Sequence, residues 1–564
     1  MSFLYGCANR KDLDTALQAR IDELNTGCGN DCTWSQDAYI KASNSEAYDH
    51  FGKSVSISGD YMVVGAFFED YQATTTPIIN TDNTSPTAAD DGSANYSGAV
   101  YVFKRNTTTG DWSQDAYLKA SNPQVNDRFG YSVSISGDYI VVGAAFEDYQ
   151  ATTTQIINTD NTSPGTADGG STNGSGAVYV FKRNTSTGNW SQDAYIKPSN
   201  TGADDRFGWS VSISGDYMAV GAVTEDYQGT TPIINTDNTS PGTADNGSAN
   251  NSGAVYIFKR DTSTGLWNQD AYLKASNAEV IDNFGYSVSL SGNYISVGAP
   301  YEDNSIATTT IENSDGINPA DDNVNTESGA VYVFKRDTST GNWSQDAYLK
   351  ASNAGNYDYF GRNICISGDF IVVGARQESN SFTQIQNGNN HIFTNVIDDN
   401  SAAKYSGAVY VYKRDTNTAG DWFQDAYLKA SNAYDLDYFG SSVTISGDYI
   451  VVGAPYEDNS STAIQNSDDT DPLTDDALEQ KSGAVYVFKR DTTTGNWSQD
   501  AYIKASNAGA NDHLGWSVSI SGTTIVVGAR KERSNQKGIT NTDGAASADD
   551  SYASSGAVYI FKGE

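Results

Sequence analysis

Acidic and amide side chains recur in five segments of the sequence in the same order. Each segment has a Glu-Asp pair, an Asn-x-Asp triplet about ten residues later, and one or two acidic residues before a Ser-Gly-Ala. Hard oxygen ligands clustered in one segment suit calcium, because this ion takes six to eight oxygens. We therefore predict calcium (Ca2+) sites in these segments. The predicted ligands are Glu69, Asp70, Asn80, Asp82 and Asp90; Glu147, Asp148, Asn158, Asp160 and Asp168; Glu225, Asp226, Asn235, Asp237 and Asp245; Glu302, Asp303, Asn313, Asp315 and Asp321; and Glu457, Asp458, Asn466, Asp468 and Asp475.

The predicted calcium segments are polar loops of about 30 residues, and loops of this length are usually functional or disordered. Two further copies depart from the pattern: "GARQES" and "GARKERS" replace the Glu-Asp segment, and Asn389 stands where Asp is expected. These two copies should bind calcium least. The alternative is a set of solvated acidic loops that bind no ion.

Catalytic side chains are scarce. Of three histidines, His50 and His513 fill one variable slot of a repeat, and His391 lies in an irregular loop. No nucleophile can be paired with a base from these positions. Paired acids are so abundant that no single pair indicates a glycosidase-like site. We predict that the chain is not an enzyme.

The elements that position these loops are repeated. The stretch "FGYSVSISGDYIVVGA" (129–144) returns in close copies, and seven tryptophans mark a period of 75 to 79 residues: Trp34, Trp112, Trp190, Trp267, Trp343, Trp422 and Trp497. Each unit contains two strands joined at a tight "GD" turn, a long loop, and two strands joined at a short polar turn. Seven copies of a four-stranded antiparallel sheet predict an all-β, seven-bladed β-propeller.

The phase of the repeat predicts how the ring closes. The chain enters the first repeat at a fourth strand (33–43) and leaves the last after a third strand (556–564), so the N-terminal strand completes the last blade. We predict one propeller domain over 33–564, preceded by a segment over 1–32. The blades are approximately 45–122, 123–200, 201–277, 278–353, 354–432, 433–507, and 508–564 together with 33–44.

The segment before the propeller has its own signals. Apolar residues at helical spacing over 12–25 predict a short amphipathic helix, which could dock on the propeller or self-associate. "LYGC" resembles the lipobox of bacterial lipoproteins and makes Cys7 a candidate lipid anchor. Cys28 and Cys32 could pair locally or stay free. No signal peptide is visible in this chain.

The net charge of the chain limits the kinds of partner that it can bind. With 70 acidic and 34 basic residues the net charge is −36, so nucleic acid and anionic membranes would be repelled. No run of about 18 apolar residues exists that would cross a membrane. The sequence therefore predicts neither nucleic-acid binding nor a membrane span.

The repeats resemble the FG-GAP repeats of integrin α-chain propellers and bacterial integrin-like proteins. The resemblance covers about 33–564 and is carried by "DRFGYSVSISGDYIVVGA", "SGAVYVF" and "W-x-Q-x-A-Y-L-K"; the full "GAP" stands at Pro300 and Pro455, and Leu514 replaces one Phe. Integrin propellers carry calcium loops between the first two strands of a blade. Here that hairpin is only "SGDY", so such sites are not expected there.

The resemblance implies an extracellular or cell-surface module for adhesion-type interactions. We expect its protein or glycan ligand on the face with the acidic loops. One alternative is a lectin, for which Tyr71, Tyr149, Tyr227, Tyr301 and Tyr456 recur beside the acidic pairs as aromatic platforms. Another is a structural subunit of a surface layer or filament.

Overall fold

A computed structural model of the chain describes a ring of strands and the turns between them. The described residues are 33–70, 78–80, 95–148, 156–158, 173–226, 233–235, 250–303, 311–313, 326–380, 383, 385–388, 403–417, 420–459, 461–466, 480–541 and 550–564. The predicted helix over 12–25, together with Cys7, Cys28 and Cys32, lies outside these residues.

The described residues form 35 strands. In chain order they are β1 (Trp34–Ile40), β2 (Ser54–Ser58), β3 (Tyr61–Ala66), β4 (Ile78–Ile79), β5 (Ala99–Arg105), β6 (Trp112–Leu118), β7 (Ser132–Ser136), β8 (Tyr139–Ala144), β9 (Ile156–Ile157), β10 (Ala177–Arg183), β11 (Trp190–Ile196), β12 (Phe207–Ser214), β13 (Tyr217–Ala222), β14 (Ile233–Ile234), β15 (Ala254–Arg260), β16 (Trp267–Leu273), β17 (Ser287–Ser291), β18 (Tyr294–Ala299), β19 (Ile311–Glu312), β20 (Ala330–Arg336), β21 (Trp343–Leu349), β22 (Asn363–Ser367), β23 (Phe370–Ala375), β24 (Gln386–Asn387), β25 (Ala408–Arg414), β26 (Trp422–Leu428), β27 (Ser442–Ser446), β28 (Tyr449–Ala454), β29 (Gln465–Asn466), β30 (Ala484–Arg490), β31 (Trp497–Ile503), β32 (Leu514–Ser521), β33 (Thr524–Ala529), β34 (Ile539–Thr540) and β35 (Ala557–Gly563).

These strands form seven antiparallel sheets, one for each repeat. The innermost strands of successive sheets are neighbours all the way round, and β2 of the first blade also lies against β32 of the last. The predicted seven-bladed propeller is therefore confirmed. Closure by the N-terminal strand is confirmed as well, because β1 pairs with β35 in the last sheet, with Tyr39 opposite Tyr559.

The prediction of four strands in a blade was wrong by one. In the second blade the order is β7-β8-β10-β11-β9, and the two residues of β9 pair with the end of β11. Each long segment thus folds back on the outer strand of its own blade, where its backbone occupies part of an otherwise open sheet edge. A two-residue strand is too short to produce the alternation by which the other strands are recognised.

The hydrophobic interior lies between blades. In the second blade Phe129, the Phe of the Phe-Gly pair, is fully buried and packs edge-on against the ring of Tyr179 at 5.3 Å between ring centroids. Its cluster includes Val63 and Val100 of the preceding blade. Burial of such surfaces, at about 25 cal/mol per Å2, joins each blade to the next.

The two faces of the ring differ. One face carries the tight Gly-Asp hairpins and the short turns that precede the tryptophans. On the other face the second strand of each blade ends, the long segment begins, and the Phe-Gly pair enters the next inner strand. We call this second face the loop face. Among the described residues no helix has the length and apolar character needed to cross a membrane.

Candidate functional site

The glutamates predicted as calcium ligands have protein partners. Glu69 is fully buried, and its Oε2 lies 2.8 Å from Nζ of Lys119 while its Oε1 accepts a hydrogen bond from the hydroxyl of Tyr117. Every blade has this ion pair. The two blades in which the Glu-Asp pair is replaced also have it, because the motif Gly-Ala-x-x-Glu is kept there. The pairs are Lys41–Glu532, Lys119–Glu69, Lys197–Glu147, Lys274–Glu225, Lys350–Glu302, Lys429–Glu378 and Lys504–Glu457.

The aspartates that follow these glutamates close the base of the long segments. Oδ1 of Asp70 accepts a hydrogen bond of 2.6 Å from the backbone N–H of Tyr96, which lies near the other end of the segment. The same bond joins Asp148 to Gly174, Asp226 to Asn251, Asp303 to Glu327 and Asp458 to Lys481.

The predicted asparagine ligands join neighbouring blades. Asn80 accepts a hydrogen bond of 2.7 Å from the backbone N–H of Trp190 in the next blade and donates one of 2.9 Å to the carbonyl oxygen of the same residue. We call this arrangement the Asn–Trp clamp. It occurs at all seven joints, the others being Asn158–Trp267, Asn235–Trp343, Asn313–Trp422, Asn387–Trp497, Asn466–Trp34 and Asn541–Trp112.

The remaining predicted ligands lie outside the described residues: Asp82, Asp90, Asp160, Asp168, Asp237, Asp245, Asp315, Asp321, Asp468 and Asp475. Within the described part of the chain, no three His, Cys, Asp or Glu side chains are grouped so that they could hold a metal ion. The glutamates and asparagines fit a structural role, since each already has protein partners. Calcium binding stays a prediction that rests on the ten aspartates.

A cavity of about 550 Å3 lies at the loop-face end of the central channel. It is lined by residues directly before and after the Phe-Gly pairs and by residues that follow the Gly-Ala of the second strands. We call this cavity the funnel. The side chains that characterise it are Lys53, Phe67, Arg128, Tyr131, Trp209, Tyr286, Arg362, Arg376, Trp516 and Arg530.

The funnel has two chemically different sides. The second, third and fourth blades contribute a continuous aromatic arc, in which Trp209 lies 4.8 Å from Tyr131 and 5.6 Å from Tyr286 between ring centroids. The first and fifth blades contribute Lys53 and Arg362 after "FG", where their charged groups also lie 4.6 Å and 4.7 Å from the ring centroids of Tyr131 and Tyr286 of the arc. The seventh blade contributes Arg530, which follows the Gly-Ala of its second strand. An amphipathic ligand could contact both sides at once.

Aromatic rings hold the funnel cations in place. The guanidinium of Arg530 lies 3.3 Å from the ring centroid of Trp516, and that of Arg128 lies 3.9 Å from Phe146. Nζ of Lys53 lies 4.6 Å from the centroid of Tyr131. Cation–π contacts of this kind contribute about 0.5–2 kcal/mol each, but a ring is not a counter-ion.

No carboxylate balances these charges among the described residues. Neither Asp nor Glu lines the funnel, and none of its five cations forms an ion pair with a described residue. On the opposite face, by contrast, Arg105 pairs with Asp60 at 3.0 Å and Arg183 pairs with Asp138. The funnel is therefore a concentrated positive site in a protein with a net charge of −36.

Burial and, after it, the crowding of positive charge lower pKa values in and beside the funnel. Burial, followed by the charges of Arg530 and Arg362, lowers the pKa of Lys53 to about 7. Burial and nearby cations also lower the pKa of His50 and of His513 to about 3, so both imidazoles are neutral at pH 7. A bound anion would offset these effects, since it favours the charged form of each cation.

The funnel was not among the sites predicted from the sequence, although the slot before the Phe-Gly pair varies between copies. The feature of the sequence that indicates the funnel is a position that differs between otherwise nearly identical repeats. After "FG" the copies carry Lys53, Tyr131, Trp209, Tyr286, Arg362 and Ser441, and Trp516 follows "LG" in the seventh copy. Of the aromatic platforms proposed for a lectin, Tyr301 contacts Tyr286 at 6.3 Å and Tyr456 contacts His513 at 4.6 Å. Tyr71, Tyr149 and Tyr227 lie outside the described residues.

Comparisons with known proteins agree with this architecture. The model of the FG-GAP repeat family matches seven times, at 34–76, 112–155, 190–232, 267–310, 343–393, 422–468 and 497–542. No curated protein matches the chain. Among solved structures, a Bacteroides uniformis ATCC 8492 protein provisionally named a 6-phosphogluconolactonase matches with 11% identity, over 80% of this chain and 86% of that one, at a TM-score of 0.39, which supports no statement about this chain. Because the family matches cover more than half of the sequence, the chain belongs to the FG-GAP repeat family, whose propellers are in general non-catalytic binding modules.

Proposed function

We propose that this chain is an extracellular or cell-surface binding module that holds its partner, in an adhesion-type interaction, at the loop face. One observation carries the proposal: the blades share nearly the same strands and turns, but they differ at the positions that line the funnel. Strands common to all copies maintain the ring. Side chains that differ from copy to copy give the loop-face end of the channel a ligand-specific shape and charge.

Binding arrays test this proposal with matched variants. Labelled full-length protein is applied to arrays of glycans and of extracellular proteins, alongside Arg362→Glu in the funnel and Lys182→Glu, an exposed lysine near the opposite face. We expect a ligand that is retained by Lys182→Glu and lost by Arg362→Glu. A ligand that responds only to Lys182→Glu would contradict binding at the loop face.

We further propose that calcium orders the acidic segments of the loop face. Support comes from the aspartates that recur in five blades and from the known preference of calcium for clustered carboxylates. Chelator-stripped protein should unfold several degrees higher in millimolar calcium, because an ion at 100 times its Kd stabilises the folded state by about 2.7 kcal/mol. Magnesium is the control. An unfolding temperature that is the same with and without calcium would rule out ordering by the ion.

A further inference from the structure

We propose that the funnel binds an acidic oligosaccharide, whose carboxylate or sulfate groups contact the cationic side and whose sugar ring packs on the aromatic arc. This inference rests on the proposed loop-face binding and names the class of ligand. The volume of about 550 Å3 lies in the ordinary range for small-ligand sites.

The charges of the described residues favour an anionic ligand. Lys53, Arg362 and Arg530 approach one cavity without a described carboxylate, although arginines near the opposite face have one. Guanidinium groups pair with carboxylates or sulfates through two parallel hydrogen bonds, which are among the stronger hydrogen bonds in proteins.

The shape of the aromatic arc favours a sugar over a planar base. The ring planes of Tyr131 and Trp209 are inclined by 44°, and those of Trp209 and Tyr286 by 61°. Such rings form a concave wall and offer no parallel slot into which a flat nucleobase could slide. A puckered pyranose ring has C–H bonds that point outward from one of its faces. These C–H groups can pack against the negative faces of aromatic rings.

One position on the cationic side of the funnel carries a small side chain. In the sixth blade the position after "FG" is Ser441, which separates Arg362 of the fifth blade from Trp516 and Arg530 of the seventh. The side chain of Ser441 is turned back on its own loop, since its hydroxyl donates to the carbonyl oxygen of Tyr438. The guanidinium of Arg376 in the fifth blade lies 5.3 Å from the ring centroid of Tyr438. An anionic group on the sugar would therefore meet Arg362, Arg376 and Arg530 around this position.

Isothermal titration calorimetry of the full chain tests the class of ligand. The probes are tetragalacturonate, which carries only carboxylates, a heparin-derived tetrasaccharide, which adds sulfates, and neutral cellotetraose. The buffer contains 150 mM salt, at which charges more than about 8 Å apart are largely screened, so that the overall negative charge does not mask the funnel. We expect binding of at least one acidic probe and none of cellotetraose. Arg362→Glu or Arg530→Glu should weaken that binding by about 100-fold, and Lys182→Glu should leave it unchanged.

The pH dependence gives a second measurement that a loss of folding would not imitate. Lys53 faces Phe67, Tyr131, Trp516, Arg362 and Arg530. Of the residues that line the funnel, Lys53 has a pKa of about 7, whereas His50 has a pKa of about 3. Burial also raises the pKa of Asp512, which does not line the funnel, to about 8, so Asp512→Asn is measured alongside to separate its contribution. Affinity for the acidic probe should fall from pH 6 to pH 8 in the wild type. It should stay flat in Lys53→Met.

Three results would overturn the proposal: equal binding of cellotetraose, tighter binding of uridine monophosphate or tetraglutamate, or no binding of either acidic probe. Circular dichroism and thermal unfolding of each variant separate a binding defect from misfolding. The array experiment keeps the two proposals apart. If the arrays identify a ligand of another class whose binding is lost in Arg362→Glu, binding at the loop face is supported and the proposal of an acidic sugar is contradicted.

Discussion

Replacing Lys41 by methionine is expected to lower the free energy of unfolding by about 3–5 kcal/mol. Nζ of Lys41 lies 2.8 Å from Oε2 of Glu532 and 2.7 Å from Oγ of Ser555, and all three side chains are buried. Without the lysine the carboxylate of Glu532 would be buried without its counter-charge. Since Lys41 directly follows β1 and Glu532 lies in the last blade, the variant also weakens closure of the ring.

Urea unfolding and hydrogen exchange check this prediction, with Lys197→Met as the matched control. Lys197 forms the equivalent buried pair with Glu147 inside the second blade, where no chain terminus is involved. Both variants should be destabilised, but only Lys41→Met should speed the exchange of amides in 34–40. The double variant Lys41→Met with Glu532→Gln should regain part of the loss, because no unpaired charge remains. Equal exchange of 34–40 in both single variants would show that the pair has no special part in closure.

Replacing Gly143 by alanine is expected to lower the free energy of unfolding by about 3 kcal/mol, at the upper end of what overpacking costs. A Cβ atom at this position would lie 2.0 Å from the carbonyl oxygen of Gly208 in the next blade and 2.4 Å from Oγ of Ser132. The first obstacle is backbone and cannot rotate away, so the joint between the second and third blades would have to open.

Gly137→Ala is the control for this substitution. Gly137 has a φ of 56°, and a Cβ atom there would have no neighbour within 4 Å. Its replacement therefore adds only the strain of a left-handed backbone, about 1–2 kcal/mol. Urea unfolding should rank Gly143→Ala as the more damaging change. The opposite order would mean that the interblade contact can relax.

The propeller could be predicted from the sequence because its signals are local and repeated seven times. Alternation in "SVSIS", the Gly-Asp turn and the spacing of the tryptophans each lie within a few residues of one another. The phase of the first and last repeats then determined the closure of the ring by β1, which the structure confirms. The two-residue fifth strands carry no such local pattern, and they were missed.

The partners of the predicted ligands could not be read from the sequence because they are distant along the chain. Glu69 meets Lys119 across 50 residues, and Asn80 meets Trp190 across 110 residues. In the sequence alone, a carboxylate in a loop suggests a metal ligand. Only the fold shows that a lysine lies beside the carboxylate and neutralises it. The funnel is a similar case, since Lys53, Arg362 and Arg530 come together only when the ring is closed.

The Asn–Trp clamp makes the seven blades interchangeable parts. Each joint uses the same asparagine, the same tryptophan backbone groups and the same packing of glycine against backbone, so these contacts do not depend on which blade is the neighbour. A gene segment that encodes one unit can therefore be duplicated, deleted in exchange for another, or moved to a new place in the order while every joint is preserved. Each new order brings a different set of side chains around the channel mouth, and recombination between repeats becomes a way to vary recognition without redesigning the scaffold.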